Sequence, residues 1–230
     1  FDNLVKNKDL KVFPVNPNAK EIAGNKSYVD VLSIPFVIDM AVIAVKAEFV
    51  LKVIEDCGKK EIKNIIIISA GFSEAGNSEL ENKLKDMAKK YGIKFLGPNV
   101  LGIINPYKNM NASFFNGMPE KGSVGFISQS GAVGTSILDM ALQSKLGISA
   151  FIPLGNMAGE DFASALDYFA NDIRTRVIVM YIESLKENQG KEFINICKAI
   201  GKKKKIIAIK SGKTEEGIKA AKTHTASLSS

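Results

Sequence analysis

Short apolar runs alternate with amphipathic stretches along the whole chain. Each run is rich in Ile and Val, as is typical of a strand buried on both faces. The runs predict strands at residues 11–15, 39–45, 64–69, 93–96, 123–128, 149–152, 176–183 and 205–210. The amphipathic stretches predict helices near residues 47–57, 78–91, 132–145, 161–171, 190–200 and 214–222. Strands separated by single helices indicate βαβ units, and hence an α/β protein with doubly wound parallel sheets.

One stretch interrupts this alternation. Residues 105–122 are rich in Asn, Gly and Pro and show no clear period. We interpret them as a linker, which predicts a first domain of about residues 1–120 and a second of about residues 121–230. The alternative is one sheet with a long excursion, which is less common for a structureless segment of this length.

The two ends of the sequence suggest a piece of a longer chain. The chain begins at Phe1 rather than Met, and residues 1–8 have the pattern of a helix. A dinucleotide-type G-x-G-x-x-G turn is absent from the first half, and the expected strand and Gly-rich turn would precede Phe1. Residues 227–230 directly follow a loop. We therefore expect a first domain truncated at its start and a second domain incomplete at its end.

The composition is that of an ordinary globular protein, 46% hydrophobic and 24% charged. No apolar run approaches the ~20 residues that span a bilayer, which argues against a membrane protein. The net charge is +7, but the lysines are dispersed and lack interleaved aromatic residues, which argues against nucleic-acid binding. The one basic cluster, residues 202–205, has the pattern of a solvated turn before a strand.

The cysteines and the histidine do not form a metal-binding pattern. Cys57 and Cys197 are far apart in helical stretches, and His224 is the one histidine of the chain. Two such cysteines are typical of packed, reduced thiols, so we expect a cytoplasmic protein without a metal site.

Parallel sheets place ligand sites at the carboxyl ends of their strands, so the turns after the strands carry most of the functional information. In the first half these turns are residues 15–17, 45–47, 69–72 and 97–99. Most contain Gly or Pro, as close approach of the backbone to a ligand requires. Because ordinary βα turns use the same residues, this pattern alone leaves both interpretations open.

Residues 123–134 predict a strand, a tight turn and a helix. Such a turn directs backbone N–H groups and hydroxyls at one point, in front of the positive end of the helix, and it suits a phosphate. Simple capping of the helix by Ser130 explains the same residues. A nucleophile elbow is excluded, because Phe126 stands two residues before Ser128, and Ser128 two residues before Ser130, where that motif needs Gly.

His224 lies among small and hydroxyl-bearing residues, which leave room for a substituent on the imidazole ring. A neutral imidazole, with a pKa near ~6.5, can accept a phosphoryl group at neutral pH. Its second ring nitrogen needs an acceptor, and Glu183 at the end of a predicted strand is the best candidate. The simpler interpretations are an exposed loop histidine and a surface carboxylate.

Several of these segments together resemble one family, the alpha part of the ADP-forming acyl-CoA synthetases of the acetate–CoA ligase type, in the succinyl-CoA synthetase superfamily. The resemblance runs through essentially the whole chain. Its motifs are VFPVNP at 12–17, SAGFSEAG at 69–76, GPNVLGIINP at 97–106, SQSGAVG at 128–134, YIES at 181–184, KSGKTEEG at 210–217 and THTASL at 223–228. It implies a Rossmann-like CoA-binding domain followed by a flavodoxin-like domain.

The resemblance also implies roles for individual residues. His224 would be the phosphohistidine and Glu183 its partner. The phosphoryl group would be held by Ser128, Gln129, Ser130 and Gly131. The CoA groove would be lined by the residues that follow the strands of the first half, namely Val15, Asn16, Pro17, Lys20, Val45, Lys46, Ala47, Ala70, Gly71, Pro98 and Asn99.

The chain departs from the family pattern at four positions. Lys46 stands in place of a common proline, Val100 in place of a cysteine and Ala226 in place of a glycine. Asn18 replaces a common lysine, for which Lys20 is close enough to compensate. None of these changes removes the implied chemistry.

The implied activity converts acyl-CoA, ADP and phosphate into acid, CoA and ATP. Its cofactors and substrates are coenzyme A, ADP or ATP with Mg²⁺, and a small organic acid with its CoA thioester. The nucleotide would be bound mainly by an ATP-grasp beta subunit or fused domain, within an oligomer. We therefore expect that this chain alone does not complete turnover. The alternatives are a CoA-binding regulatory module, as in some protein lysine acetyltransferases, and a nucleotide-binding scaffold without catalysis.

Overall fold

The computed structural model describes residues 1–185 and 189–211. The helices are α1 (Asp2–Val5), α2 (Ala47–Lys59), α3 (Ser78–Tyr91), α4 (Gly131–Gln143), α5 (Phe162–Asn171) and α6 (Gly190–Gly201). The strands are β1 (Glu21–Ile22), β2 (Asn25–Lys26), β3 (Met40–Ile43), β4 (Asn64–Ile67), β5 (Lys94–Leu96), β6 (Gly102–Asn105), β7 (Met110–Ser113), β8 (Lys121–Ser128), β9 (Ile148–Pro153), β10 (Val177–Ile182) and β11 (Lys205–Lys210). The helix predicted at 214–222 lies outside the described residues.

The first half forms a parallel sheet with the strand order β3-β4-β5. Its central strand reads Asn-Ile-Ile-Ile, and the three isoleucines are buried. Helix α2 covers the sheet through an apolar stripe that includes Val50 and Ile54, both fully buried. Leu84 of α3 joins the same core. This is the Rossmann-like arrangement that the alternation of Ile runs and amphipathic helices predicts.

A second sheet has the strand order β11-β10-β8-β9-β6-β7, and its strands β8 to β11 come from the second half of the chain. The strands from β11 to β9 run parallel, which gives the predicted flavodoxin-like core. Helix α4 packs closely on this sheet because its Gly134 lies against Phe151. A Cβ atom at Gly134 would lie 2.6 Å from the Phe151 ring. The absence of a side chain at Gly134 therefore sets how near α4 approaches the strands.

The expectation of a structureless linker is wrong for residues 105–113. Strand β6 pairs antiparallel with β9, and β7 pairs antiparallel with β6, so this hairpin extends the second sheet. The polar sequence of β7 conceals it, because Asn111 and Ser113 are buried through hydrogen bonds of their own. Asn111 Nδ2 donates to the carbonyls of Phe115 at 3.0 Å and Gly117 at 2.8 Å. The boundary near residue 120 stays a prediction.

Two other expectations also change. Residues 11–15 form no strand but a single bridge from Val15 to Tyr28. The helix predicted over residues 1–8 is shorter, and it lies against β7. Asn3 Nδ2 donates to the carbonyls of Ser113 at 3.1 Å and Phe115 at 2.8 Å. In the part of the chain that the structure describes, no helix is both long enough and apolar enough to cross a membrane.

Candidate functional site

The turns after β3, β4 and β5 meet at the carboxyl edge of the first sheet, as predicted. Ser69 Oγ, after β4, donates to the carbonyl of Val45, after β3, at 2.5 Å. The backbone N–H of Asn99, after β5, donates to the carbonyl of Ser69 at 2.9 Å. Hydrogen bonds thus tie three of the four predicted CoA segments into one continuous edge.

Gly71 allows two of these segments to approach each other closely. Its φ of +108° belongs to a region that L-residues rarely adopt, and a Cβ there would lie 3.1 Å from the Cβ of Ala47. The glycine therefore brings the turn after β4 against the first residue of α2. Of the other predicted residues at this edge, Lys46, Ala70 and Asn99 are exposed, whereas Pro98 is buried.

The VFPVNP segment, residues 12–17, packs on the half of the molecule that contains the first sheet. Phe13 and Tyr28 pack against the core of the first sheet and so anchor the segment there. The backbone N–H of Asn16 donates to the carbonyl of Tyr28 at 2.8 Å, and Asn16 Oδ1 accepts from the N–H of Asn18 at 2.8 Å. Val15, Pro17 and Lys20 are exposed. An exposed lysine here and Lys46 at the start of α2 suit the phosphates of a CoA molecule.

The turn after β8 contains the predicted phosphate residues. Ser128 is fully buried, and its Oγ donates to the carbonyl of Ser130 at 2.8 Å. Ser130 caps α4, since its Oγ accepts from the N–H of Val133 at 3.3 Å. The capping interpretation is therefore confirmed for Ser130. Gly131, the first residue of α4, is exposed, and a Cβ there would meet no atom within 4 Å, so its side-chain position is open.

Gln129 connects this turn to Glu183. The Gln129 side-chain oxygen accepts hydrogen bonds from the N–H groups of Glu183 at 2.6 Å and Ser184 at 3.0 Å. Gln129 Nε2 lies 3.4 Å from the hydroxyl of Ser184. The carbonyl of Glu183 accepts from Lys210 Nζ at 2.8 Å, and its carboxylate is exposed. Three parallel strands therefore contribute to one edge, with Glu183 beside the predicted phosphate turn. His224 lies outside the described residues.

Sequence reasoning missed the loop after β9. The N–H of Leu154 donates to the carbonyl of Ser128 at 2.8 Å, and the N–H of Asn156 donates to the carbonyl of Pro98 at 3.1 Å. The N–H of Ala158 donates to the carbonyl of Gly97 at 3.0 Å. This loop therefore links the carboxyl edge of the second sheet to that of the first. Its one sequence signal was its place directly after a predicted strand.

Two family models match the chain, one in its first half and one in its second. A CoA binding domain matches residues 1–106, and the flavodoxin-like domain of succinyl-CoA ligases matches residues 121–230. The chain is 43% identical, over 230 residues, to the alpha subunit of acetate–CoA ligase (ADP-forming) II from Pyrococcus furiosus. The chain belongs to the ADP-forming acyl-CoA synthetases.

Other members of this ADP-forming synthetase family support the assignment. An ADP-forming acetate–CoA ligase from Methanocaldococcus jannaschii is 50% identical over 218 residues, which are 95% of this chain and 30% of that relative. The Pyrococcus match covers 99% of this chain and 50% of that subunit. The chain thus spans half or less of the length of these two relatives.

A solved synthetase structure shares the fold. It is acetyl-coenzyme A synthetase 1 from Ca. Korarchaeum cryptofilum, in complex with phosphate and ADP. The TM-score is 0.93 at 40% identity, and the match covers 100% of this chain and 50% of that one.

Proposed function

We propose that this chain is the alpha part of an ADP-forming acyl-CoA synthetase, and that it binds CoA and carries the phosphorylated histidine. The observation that carries the proposal is the loop after β9, which is hydrogen bonded at Leu154 to the predicted phosphate turn and at Asn156 to the predicted CoA edge. A reaction that passes a group from a thioester to phosphate needs these two sites side by side.

The first step exchanges sulfur for phosphate on the acyl group. A phosphate oxygen attacks the thioester carbonyl, the C–S bond breaks, and CoA leaves as the thiolate, which takes up a proton. The chain's part is to hold both reactants. The segments at Val15, Val45 and Gly71 line the groove, and the open first turn of α4 at Gly131 receives the phosphate.

The second step moves the phosphoryl group from the acyl phosphate to His224, and the acid leaves. A neutral imidazole nitrogen attacks phosphorus, and the positive charge that develops on the ring needs a nearby acceptor. We assign the role of acceptor to Glu183. The side chain of Gln129 holds the backbone of Glu183 beside the phosphate turn. Phosphohistidine then donates the group to ADP, which gives ATP.

The nucleotide step requires a second part of the enzyme. We assign binding of ADP, with its Mg²⁺, to an ATP-grasp subunit or fused domain, since the chain spans half or less of the length of the Methanocaldococcus and Pyrococcus relatives. The acid and its CoA thioester are the small-molecule substrates. On this proposal the chain alone binds CoA weakly but does not complete turnover.

The test is a phosphorylation experiment on the chain together with its ATP-grasp part. Incubation with labelled ATP and Mg²⁺ should give phosphate on the alpha part that is labile in acid and stable in alkali. His224→Ala should abolish the label, and added ADP should remove it from the wild type. An unlabelled wild type that still binds CoA would contradict the mechanism and favour a regulatory CoA-binding module.

A further inference from the structure

Two buried carboxylates lie behind the turn that follows β4. Glu74 is 9% exposed and Glu81 is 6% exposed. Glu74 Oε1 accepts from the N–H of Gly71 at 2.6 Å and from that of Phe72 at 3.3 Å. Glu81 Oε2 accepts from Ser73 Oγ at 2.6 Å. Glu74 therefore fixes the backbone of the turn that contains Gly71, one of the predicted CoA residues.

The amide group of Asn156 lies between these two carboxylates. Its Nδ2 donates to Glu81 Oε2 at 2.9 Å, lies 3.2 Å from Ser73 Oγ, and also donates to Glu74 Oε2. Two buried acids that face each other repel unless donors satisfy them. Asn156 comes from the other sheet, 82 residues from Glu74 along the chain. The conformation of the Gly71 turn thus depends on a donor that the second half of the molecule supplies.

Asn156 also contacts the third segment of the CoA edge. Its N–H donates to the carbonyl of Pro98, and its Oδ1 lies 3.4 Å from Asn99 Nδ2. Two residues earlier, Leu154 is bonded to Ser128 in the phosphate turn. We infer that Asn156 is a positioning residue: it fixes the CoA-binding turn through Glu74 and sets its place relative to the phosphate turn. This inference rests on the proposed function.

The choice of Asn rather than Asp at this position is the basis of the test. Asn156→Asp removes both N–H donors and places a third carboxylate against Glu74 and Glu81. The Gly71 turn should then lose its fixed position on the CoA side. We expect a rise of about ten- to hundredfold in KM for CoA, the scale on which small misplacements act. Phosphorylation of His224 by ATP, which does not use CoA, should stay within about twofold of the wild type.

A matched control is Asn82→Asp, which makes the same chemical change on the exposed side of α3. It should leave both measurements unchanged. The rescue variant is E74Q/N156D, in which the glutamine introduced at position 74 can still accept from Gly71 and can donate to the aspartate introduced at position 156. Its KM for CoA should fall at least about threefold below that of N156D. If N156D does not fold, the KM for CoA of E74Q/N156D is compared with that of E74Q alone, and this comparison decides the same question.

The outcomes separate this inference from the proposed function. An unlabelled wild type refutes the proposed function itself. A labelled wild type with an unchanged KM in N156D contradicts the inference. So does an equal loss of CoA-dependent and CoA-independent steps, which indicates a purely structural role, and so does a double variant without rescue.

Discussion

The side-chain oxygen of Gln129 accepts a hydrogen bond from the backbone N–H of Glu183 at 2.6 Å. The glutamine follows β8 and the glutamate follows β10, so this bond fixes the predicted phosphate turn against the predicted histidine partner. Removal of the Gln129 side chain should therefore lower both the stability of the fold and the rate of phosphoryl transfer.

Gln129→Met keeps the length of the side chain but removes the acceptor. The N–H groups of Glu183 and Ser184 would lose their partner. Because both residues are exposed, the cost is that of ordinary hydrogen bonds, about 0.5–1.5 kcal/mol each. Urea unfolding should show that loss, and the initial rate of His224 phosphorylation should fall. Gln143→Met at the exposed end of α4 is the matched control and should change neither quantity.

Glu183→Gln tests the proposed role of the carboxylate alone. The backbone bonds from Gln129 and Lys210 are unaffected by this change, so the free energy of unfolding should stay within about 0.5 kcal/mol of the wild type. The rate of His224 phosphorylation should fall at least about a hundredfold, as when a charge partner of a reacting group is lost. Glu192→Gln, an exposed glutamate in α6, serves as the control. An unchanged rate in Glu183→Gln would assign this residue to the solvated surface.

Gly131→Ala distinguishes helix capping from phosphate binding. A Cβ at this position meets no atom within 4 Å, so the protein itself has room for it, and alanine favours the helix. The melting temperature should therefore stay the same or rise slightly. If a phosphoryl group occupies the space in front of α4, the methyl group intrudes on it, and KM for phosphate should rise severalfold. An unchanged KM for phosphate would leave capping as the function of this turn.

Cys57 should be unreactive in the folded protein. Burial raises the pKa of its thiol to about 12, whereas a free thiol in the unfolded chain has a pKa near ~8.5. A disulfide reagent at pH 8 should modify Cys57 only after denaturation. Between these two pKa values the unfolded chain releases a proton that the folded chain keeps, so folding stability falls as the pH rises. Wild type should lose up to about 1.4 kcal/mol per pH unit more than Cys57→Ala in that window.

The parallel core could be predicted because its sequence and its burial agree. The apolar runs of β4 and β10 are largely covered by the rest of the protein, and local patterns suffice to find them. β7 could not be found in this way. Its sequence is Met-Asn-Ala-Ser, and Asn111 and Ser113 are buried by side-chain hydrogen bonds that no periodicity reveals. Conversely, residues 11–15 form a short apolar run typical of a strand, but Pro14 interrupts it and only a single bridge forms.

The same distinction applies to the candidate site. The edge at Val45, Ser69 and Asn99 could be predicted because parallel strands bring their carboxyl ends together whatever the details of the turns. Asn156 could not be predicted, because an asparagine after a glycine has the pattern of an ordinary turn. Its role depends on Glu74 and Glu81, which lie 82 and 75 residues away in the sequence.

The antiparallel strand β6 has a consequence for how such chains can be recombined. It follows the first sheet directly, yet Ile104 pairs with Phe151 of β9, and Ile103 packs with the buried side chains of Ile66 and Val100. A hybrid joined between residues 106 and 121 would take β6 from one parent and β9 from the other. Such a chimera would keep the pairing of its second sheet only where both parents share it, so exchange of modules with this chain is constrained by a strand that contacts both halves.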